Sequence, residues 1–321
     1  MPEAKTTLFV LLAVVGVVFL AVWIPALVRS LRTPSQRIAP NFLIFLWELT
    51  VGFVTDFFDT LGIGSFATTT SLYRAGRTID DRLLPGTLNV GHTLPTILQA
   101  CFFITAVEVE TKTLVWMIIA AVLGSLLGAP IVARWPRRPV QLGMGMALIV
   151  LCAVLVFRQL SDPESLEHPG LSAVATFVRD HIGSTQGGTA RGLAGGALAF
   201  AVCANFVLGA LMTIGVGLYG PCLVLVSLLG MNPVAGFPIM MGSCAFLMPL
   251  ASIPFIKNES YAPRAALGLA LAGIPAVWIA AKWVVSLKLF WVQWLVAVVV
   301  IYTAITLLQA AAREKKKEAA A

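Results

Sequence analysis

The sequence predicts an all-α polytopic membrane protein made of two related halves, and three observations carry that prediction. Hydrophobic residues make up 59% of the 321 positions and charged residues 12%, about half the charged share usual in a soluble domain, and the mean hydropathy is +0.91. Apolar runs recur along the whole chain, and only Arg158 to Arg191 is hydrophilic over any distance, which leaves no room for a separate soluble domain. The third observation is a duplication. Thr60-Leu61-Gly62-Ile63-Gly64-Ser65-Phe66 matches Thr213-Ile214-Gly215-Val216-Gly217-Leu218-Tyr219, and the register that pairs Gly62 with Gly215 also pairs Pro85 with Pro238. Gly-interrupted hydrophobic segments at corresponding places in two halves point to a binding site near the bilayer midplane.

Residues 1–38 are expected to form an N-terminal transmembrane helix and a cytoplasmic link. The apolar run Thr7 to Leu27 is about 20 residues, long enough to span hydrocarbon and longer than the roughly 7 to 15 residues of a signal-peptide core. Residues 39–160 form the first repeat: a hairpin from Asn41 to Leu72, then spans at Leu83 to Thr105, Leu114 to Ala133 and Val140 to Phe157. After an exterior loop, 161–190, the second repeat occupies 191–312. It has a hairpin from Leu193 to Leu229 and spans at Val234 to Ile256, Ala265 to Ala281 and Leu289 to Leu308, before a basic cytoplasmic tail at 313–321. Each hairpin is about 35 residues, against roughly 40 for two full spans, so its arms are short or re-entrant and its Gly-rich turn lies inside the membrane. Three spans after each hairpin invert the second copy, giving two inverted repeats plus one extra helix.

Orientation follows from the cations, which cytoplasmic loops retain. Arg29, Arg32 and Arg37, then Arg74, Arg77 and Arg82, Arg134 to Arg138, Lys257 with Arg264, and Arg313 to Lys317 are assigned to the cytoplasm. Glu108 to Lys112, Asp162 to Asp180, the turn near Asn232 and the link Lys282 to Lys288 are assigned outside. The N-terminus is then exterior and the C-terminus cytoplasmic, in a bacterial inner membrane. The net charge of +7 is explained by this distribution, and no nucleic-acid partner is expected. Trp278, Trp283, Trp291 and Trp294 read as an interfacial aromatic belt.

Gly62 and Gly64 permit backbone conformations closed to other residues, and Ile63 lies between them. The helix start beyond such a turn offers unpaired N–H groups and partial positive charge, a seat for an anion without a lysine in hydrocarbon. Gly215 and Gly217 offer a similar set from the other side, so both turns are expected to cradle one small oxyanion. Ser65, Thr68, Thr69 and Tyr219 add hydroxyls. Close helix packing is the competing account of the glycines, and for Gly124 and Gly128 it is the better one. Asp56 and Asp59, three residues apart, share roughly one helix face inside an apolar segment. Carboxylates there face a cavity or a partner and mark function, so Asp59, with Asp56, is the expected proton-coupling acid; capping of a broken helix is the alternative. Asn89 and His92, with Ser243 and Cys244 in the second half, are expected to complete the cavity, although a lone membrane histidine also serves as a helix-to-helix hydrogen bonder.

His92, His168 and His181 are widely separated, and the five cysteines fall in apolar segments without a zinc spacing, so no metal, cofactor or disulfide framework is expected. Cys222, which follows Gly220-Pro221, is a candidate for contact with a sulfur-containing substrate. The chain has no His-Glu-x-x-His and no Gly-x-Ser-x-Gly, which argues against an intramembrane enzyme.

The segment Gly52-Phe53-Val54-Thr55-Asp56-Phe57-Phe58-Asp59-Thr60-Leu61-Gly62-Ile63-Gly64 resembles the first-half signature of the TauE/SafE family of sulfite and organosulfonate exporters. Gly209-Ala210-Leu211-Met212-Thr213-Ile214-Gly215-Val216-Gly217, followed by Pro221, is similar to its second-half counterpart. Gly124 to Ala129 is similar to the Gly-x-x-x-Gly element of a later helix. The likeness covers Asn41 to Gln309, with Ser65 where a third glycine is common and Thr68-Thr69-Thr70 where apolar residues are usual. It implies a secondary transporter that exports sulfite or an organosulfonate such as sulfoacetate by alternating access. The readings kept beside it are an anion channel, a permease for another small carboxylate or sulfur oxyanion, including import of a sulfur compound, and an intramembrane enzyme.

Overall fold

In the computed structural model, residues 2–32, 41–80, 82–128, 137–160, 172, 176, 190–212, 218–286 and 289–318 are described. Helices account for nearly all of them, with no strand among the described residues: α1 Pro2–Leu31, α2 Phe42–Thr60, α3 Ser65–Gly76, α4 Leu84–Ala106, α5 Thr111–Leu123, α6 Arg137–Leu160, α7 Gly195–Met212, α8 Tyr219–Leu228, α9 Gly236–Lys257, α10 Pro263–Ser286 and α11 Leu289–Glu318. Four helical stretches, Lys5–Leu31, Gly195–Met212, Gly236–Lys257 and Pro263–Trp283, are long and apolar enough to cross a membrane. Their outer surfaces expose Val10, Val17, Phe200, Leu271, Trp278 and Trp283, as lipid-facing helices do. The chain is thus an integral membrane protein. At 19 and 23 residues α2 and α4 have the length of a span, but their buried faces carry acids, amides, hydroxyls and an imidazole.

The first hairpin forms where the sequence predicts it. Helix α2 stops because Gly62 takes φ +98°; the Ile63 amide donates to Phe58 O at 3.2 Å and the Gly62 amide to Asp59 O at 2.8 Å, the bond pattern of a glycine-terminated helix. Gly64, at φ +85°, then leads into α3. With 12 residues, α3 is about 18 Å long, half the depth needed to cross about 30 Å of hydrocarbon. Its last residue, Gly76, lies against the Trp47 indole near the start of α2, so both ends of the hairpin sit at one face. In the second half α8 is also short, 10 residues or about 15 Å. Its turn, with Gly215 and Gly217, lies outside the described residues, as does most of the predicted exterior loop.

Loops segregate onto two faces. On one, the Glu110 amide donates to Arg191 O, the Leu193 amide to Thr113 Oγ1 and the Asn232 amide to Ala190 O, with an Arg191–Glu108 ion pair. Lys5 donates to Ile104 O at 2.9 Å, which brings the start of α1 to the same side. On the other, the Ala262 amide donates to Thr87 Oγ1 and Arg264 pairs with Glu48. Packing partners are exchanged between the halves: α2 lies on α10 and α7 on α5, while α4 packs on α9 and α6 on α11. Helix α1 packs mainly on α9.

Two boundaries differ from expectation. Helix α5 starts at Thr111 and passes into a wider turn at Gly124–Gly128. Helix α11 runs through the basic segment to Glu318, because Ala, Glu and Lys are strong helix formers, so the tail prolongs a helix. The contacts between halves depend on bare backbone: a Cβ at Gly124 would run into the Phe206 carbonyl, and one at Gly209 into the Ala121 carbonyl, so Gly124 is a packing glycine. Gly209→Ala is therefore expected to cost about 1–3 kcal/mol by overpacking α7 against α5. Gly143→Ala, which meets open space, should gain roughly 0.5–1 kcal/mol. Thermal unfolding of the detergent-solubilised protein reads both, and equal effects would refute this account of the interface.

Candidate functional site

The site is a buried polar network at the break between α2 and α3. Asp56 and Asp59 come from the last turns of α2, Thr69 from α3, His92 and Gln99 from α4, and Tyr219 from the first turn of α8. All are enclosed. His92 Nδ1 lies 2.8 Å from Asp56 Oδ1 and Nε2 lies 3.0 Å from Thr69 Oγ1. The Gln99 amide donates to Asp59 Oδ2 at 2.9 Å and to Thr60 Oγ1 at 3.1 Å. The Tyr219 hydroxyl lies 2.9 Å from Gln99 Oε1 and 3.3 Å from Asp59 Oδ2. Ser65, the first residue of α3, adds interactions to Asp59 through its hydroxyl and backbone N–H. The two parts of the network join through α2, since Asp56 and Asp59 are one turn apart.

Protonation sets the charge of this cluster. With both aspartates ionised and the imidazole neutral it carries −2, and it reaches neutrality only with two protons bound. Full enclosure makes an uncompensated charge costly, so any change in occupancy by protons or ions must be nearly balanced. The His92 ring suits such exchange: Nδ1–H faces the carboxylate, while Nε2 accepts from the Thr69 hydroxyl when neutral and donates to it when charged.

Beside Asp59 is a cavity of about 20 Å³, lined by Asp59, Gly64, Ser65 and Thr96 on one side and by Met212, Tyr219, Cys244 and Met248 on the other. That is room for one water molecule. Both halves contribute, and the second supplies sulfur: Cys244 Sγ lies 3.5 Å from Met212 Sδ.

The sequence-selected residues divide into those gathered here and those held elsewhere. Asp56, Asp59, Gly64, Ser65, His92 and Tyr219 meet in the network or its cavity. Gly62 and Ile63 shape the turn, with Gly62 against Phe237 and Met240. Thr68 donates back to Ser65 O and Gly64 O within its own helix; its neighbour Thr69 is the one that meets His92. Asn89 donates to Pro85 O inside α4, and Ser243 lies 3.3 Å from Asn205 Nδ2, an amide that also donates to Met117 O of α5. Cys222 is fully enclosed and does not line the cavity. Gln99, Thr96 and Cys244 complete the site. His92, Thr96 and Gln99 recur at i, i+4 and i+7, one face of a helix, a spacing that marks them as a polar stripe.

The chain matches no protein-family model, no curated protein and no solved structure.

Asp56 has His92 as its hydrogen-bond partner, and both side chains are fully buried. His92→Leu should therefore destabilise the protein by about 3–5 kcal/mol, the cost of stranding a buried partner. The pair Asp56→Leu with His92→Leu should recover most of that loss. Unfolding midpoints of the two variants test this, and a double variant as unstable as the single one would refute it.

Proposed function

We propose that the chain is a secondary transporter for a small anion, with sulfite or an organosulfonate such as sulfoacetate as the substrate class, and that it couples transport to protons on Asp59 and Asp56. The observation that carries this reading is the turn at Gly62 to Gly64. It separates α2 from α3 and leaves Asp59 at the start of α3, beside Tyr219 from the other half. A helix start draws anions, and here the chain's own carboxylate sits next to it. Protonation of Asp59 removes that competitor and its repulsion. An arriving anion then meets the N–H end of α3 and the hydroxyls of Ser65, Thr96 and Tyr219, so proton and anion load together.

The exchange of partners between α2–α10 and α7–α5 supports two inverted repeats, each a hairpin followed by three spans. A cavity of about 20 Å³ holds no sulfonate, which supports a carrier in a closed state over an open channel; hairpin movement must enlarge the site for the substrate. The substrate class rests on the resemblance to the TauE/SafE exporters.

A proton and a monoanion moving together carry no net charge, so their flux follows the pH gradient. Coupling through Asp59 therefore favours import wherever the exterior is the more acidic side, and this is the second reading. Export of the same anion requires an outward anion gradient that exceeds the opposing pH gradient, a reversed pH gradient, or a step driven by membrane potential without the proton.

Proteoliposomes loaded or bathed with labelled sulfite, sulfoacetate, taurine and acetate, with and without an imposed pH gradient, test the proposal. Saturable flux of the sulfur oxyanions that follows the gradient is expected, and Asp59→Asn should abolish the gradient dependence. Flux of acetate alone, or no flux, would sink the sulfur assignment.

A further inference from the structure

The network has one further buried carboxylate within reach on the same helix. Glu48 lies on α2 eight residues before Asp56, about 12 Å along the helix axis, and is 1% exposed. Arg264 holds it with Nε at 3.2 and 3.0 Å from its two carboxylate oxygens and Nη2 at 3.1 Å from Oε1. Arg264 stands in the first turn of α10, where the helix dipole disfavours a cation; the pairing with Glu48 offsets that placement. Both acids on α2 rest on bare backbone of α10, Glu48 over Gly268 and Asp56 over Gly273.

Tyr73 lies on α3 between Thr69, which meets His92, and Gly76, which lies against Trp47 beside Glu48 in the sequence. The Tyr73 ring is 0% exposed and packs with Val51, Ala265 and Leu269, and Val51 occupies the turn of α2 between Glu48 and Asp56. The Tyr73 hydroxyl and Asp56 Oδ2 are buried and hydrogen-bond to no described residue. The charged groups acting on that hydroxyl are Glu48, Asp56 and Arg264. A phenol kept unbonded in a dry interior is a cost that native structures rarely accept without a reason, and Glu48 and Asp56 are the carboxylates whose charges bear on it.

We propose that Glu48, Tyr73 and Asp56 form the route by which protons reach the buried network from the face that bears Arg264, a role that rests on reading the network as the coupling site. A proton arriving at Glu48 releases its pairing with Arg264. The Tyr73 oxygen accepts a proton from the Glu48 side as its own proton leaves toward Asp56 Oδ2, so Tyr73 ends unchanged and one proton has moved inward. Neither carboxylate bonds the Tyr73 hydroxyl directly, and a bridging water completes each step. Asp56 passes the charge change to His92 and Thr69, and Asp59 with Gln99 and Tyr219 lies one turn further along. Among the described residues, Arg264 from α10, Ser65 and Thr96 beside Asp59, and Cys244 across the cavity are the further polar groups near these acids.

The test is time-resolved infrared spectroscopy of the full-length protein in liposomes after a jump into D2O, following exchange at the buried carboxyl groups, with Asp56→Asn to identify the Asp56 band. Tyr73→Phe keeps the ring and should slow exchange at Asp56 by about a hundredfold, the low end of what a positioned proton carrier contributes, with the band amplitude unchanged. Glu48→Gln should slow it similarly. Val51→Ala loosens the same packing without touching the hydroxyl and should leave the rate as in wild type. An unchanged rate in Tyr73→Phe, or equal slowing in Val51→Ala, overturns the route. Anion flux measured on the same liposomes separates the two readings. Slowed exchange in Tyr73→Phe without any wild-type flux defeats the transport assignment alone, and coupled wild-type flux with normal exchange in Tyr73→Phe defeats the route alone.

Discussion

A carboxylate in hydrocarbon must be enclosed and bonded, and the position of α2 follows from that constraint. Three acids, Glu48, Asp56 and Asp59, lie on its buried face, so that face can be neither turned to lipid nor loosely packed, while Leu43, Phe53 and Phe58 of the same helix are exposed. It is pressed against α10 where Gly52, Gly268 and Gly273 bring the two backbones close, and it is capped along its length by Arg264, His92 and Gln99. His92 and Gln99 come from α4 and Arg264 from α10, far along the chain. The glycines and the acids are thus parts of one solution: small residues let the helices approach, and the approach shields the charges.

The polar chemistry is unevenly shared between the halves. Under the register that pairs Gly62 with Gly215, Asp56 corresponds to Gly209, Asp59 to Met212, Thr69 to Cys222, His92 to Ala245 and Gln99 to Ser252. At the first four of these pairs the first half ionises or hydrogen-bonds and the second packs or presents sulfur. Ser252 keeps a hydroxyl, 3.5 Å from Thr93 Oγ1, and Tyr219 reaches across to Asp59 and Gln99. The turn at Gly64 borders the site, and its two walls differ in character, one acidic and hydroxylic, the other thioether, thiol and phenol.

Much of this was legible in the sequence. Glycines at positions needing positive φ located the first turn, and apolar run lengths marked most of the described helices, although α11 runs past Leu308 to Glu318. Asp56 and Asp59 stood out because acids are rare in such segments. What sequence could not resolve was rotation about each helix axis. Thr68 and Thr69 are adjacent hydroxyls, and only the packing of α3 on α2 and α4 decides that Thr69 meets His92 while Thr68 bonds its own backbone. Asn89 and His92 are one turn apart on α4, yet one is satisfied by Pro85 and the other by Asp56. Arg264 read as a loop cation because its partner Glu48 is distant in sequence, and Gln99 was hidden because a single amide in an apolar helix carries no charge to betray it.

The separation of α2 from α10 along the chain also shapes how the protein is made. Glu48 and Arg264 are 216 residues apart, so α2 emerges from the ribosome long before the helix that neutralises and shields it. Until then its acidic face has no dry partner, and the hairpin with α3, open at one face of the membrane, lets that segment wait at the interface while α4 delivers His92 and Gln99. Final burial comes only when α10 inserts, which makes the first hairpin synthesised among the last elements to settle and ties the completion of the buried polar network to the arrival of the second half.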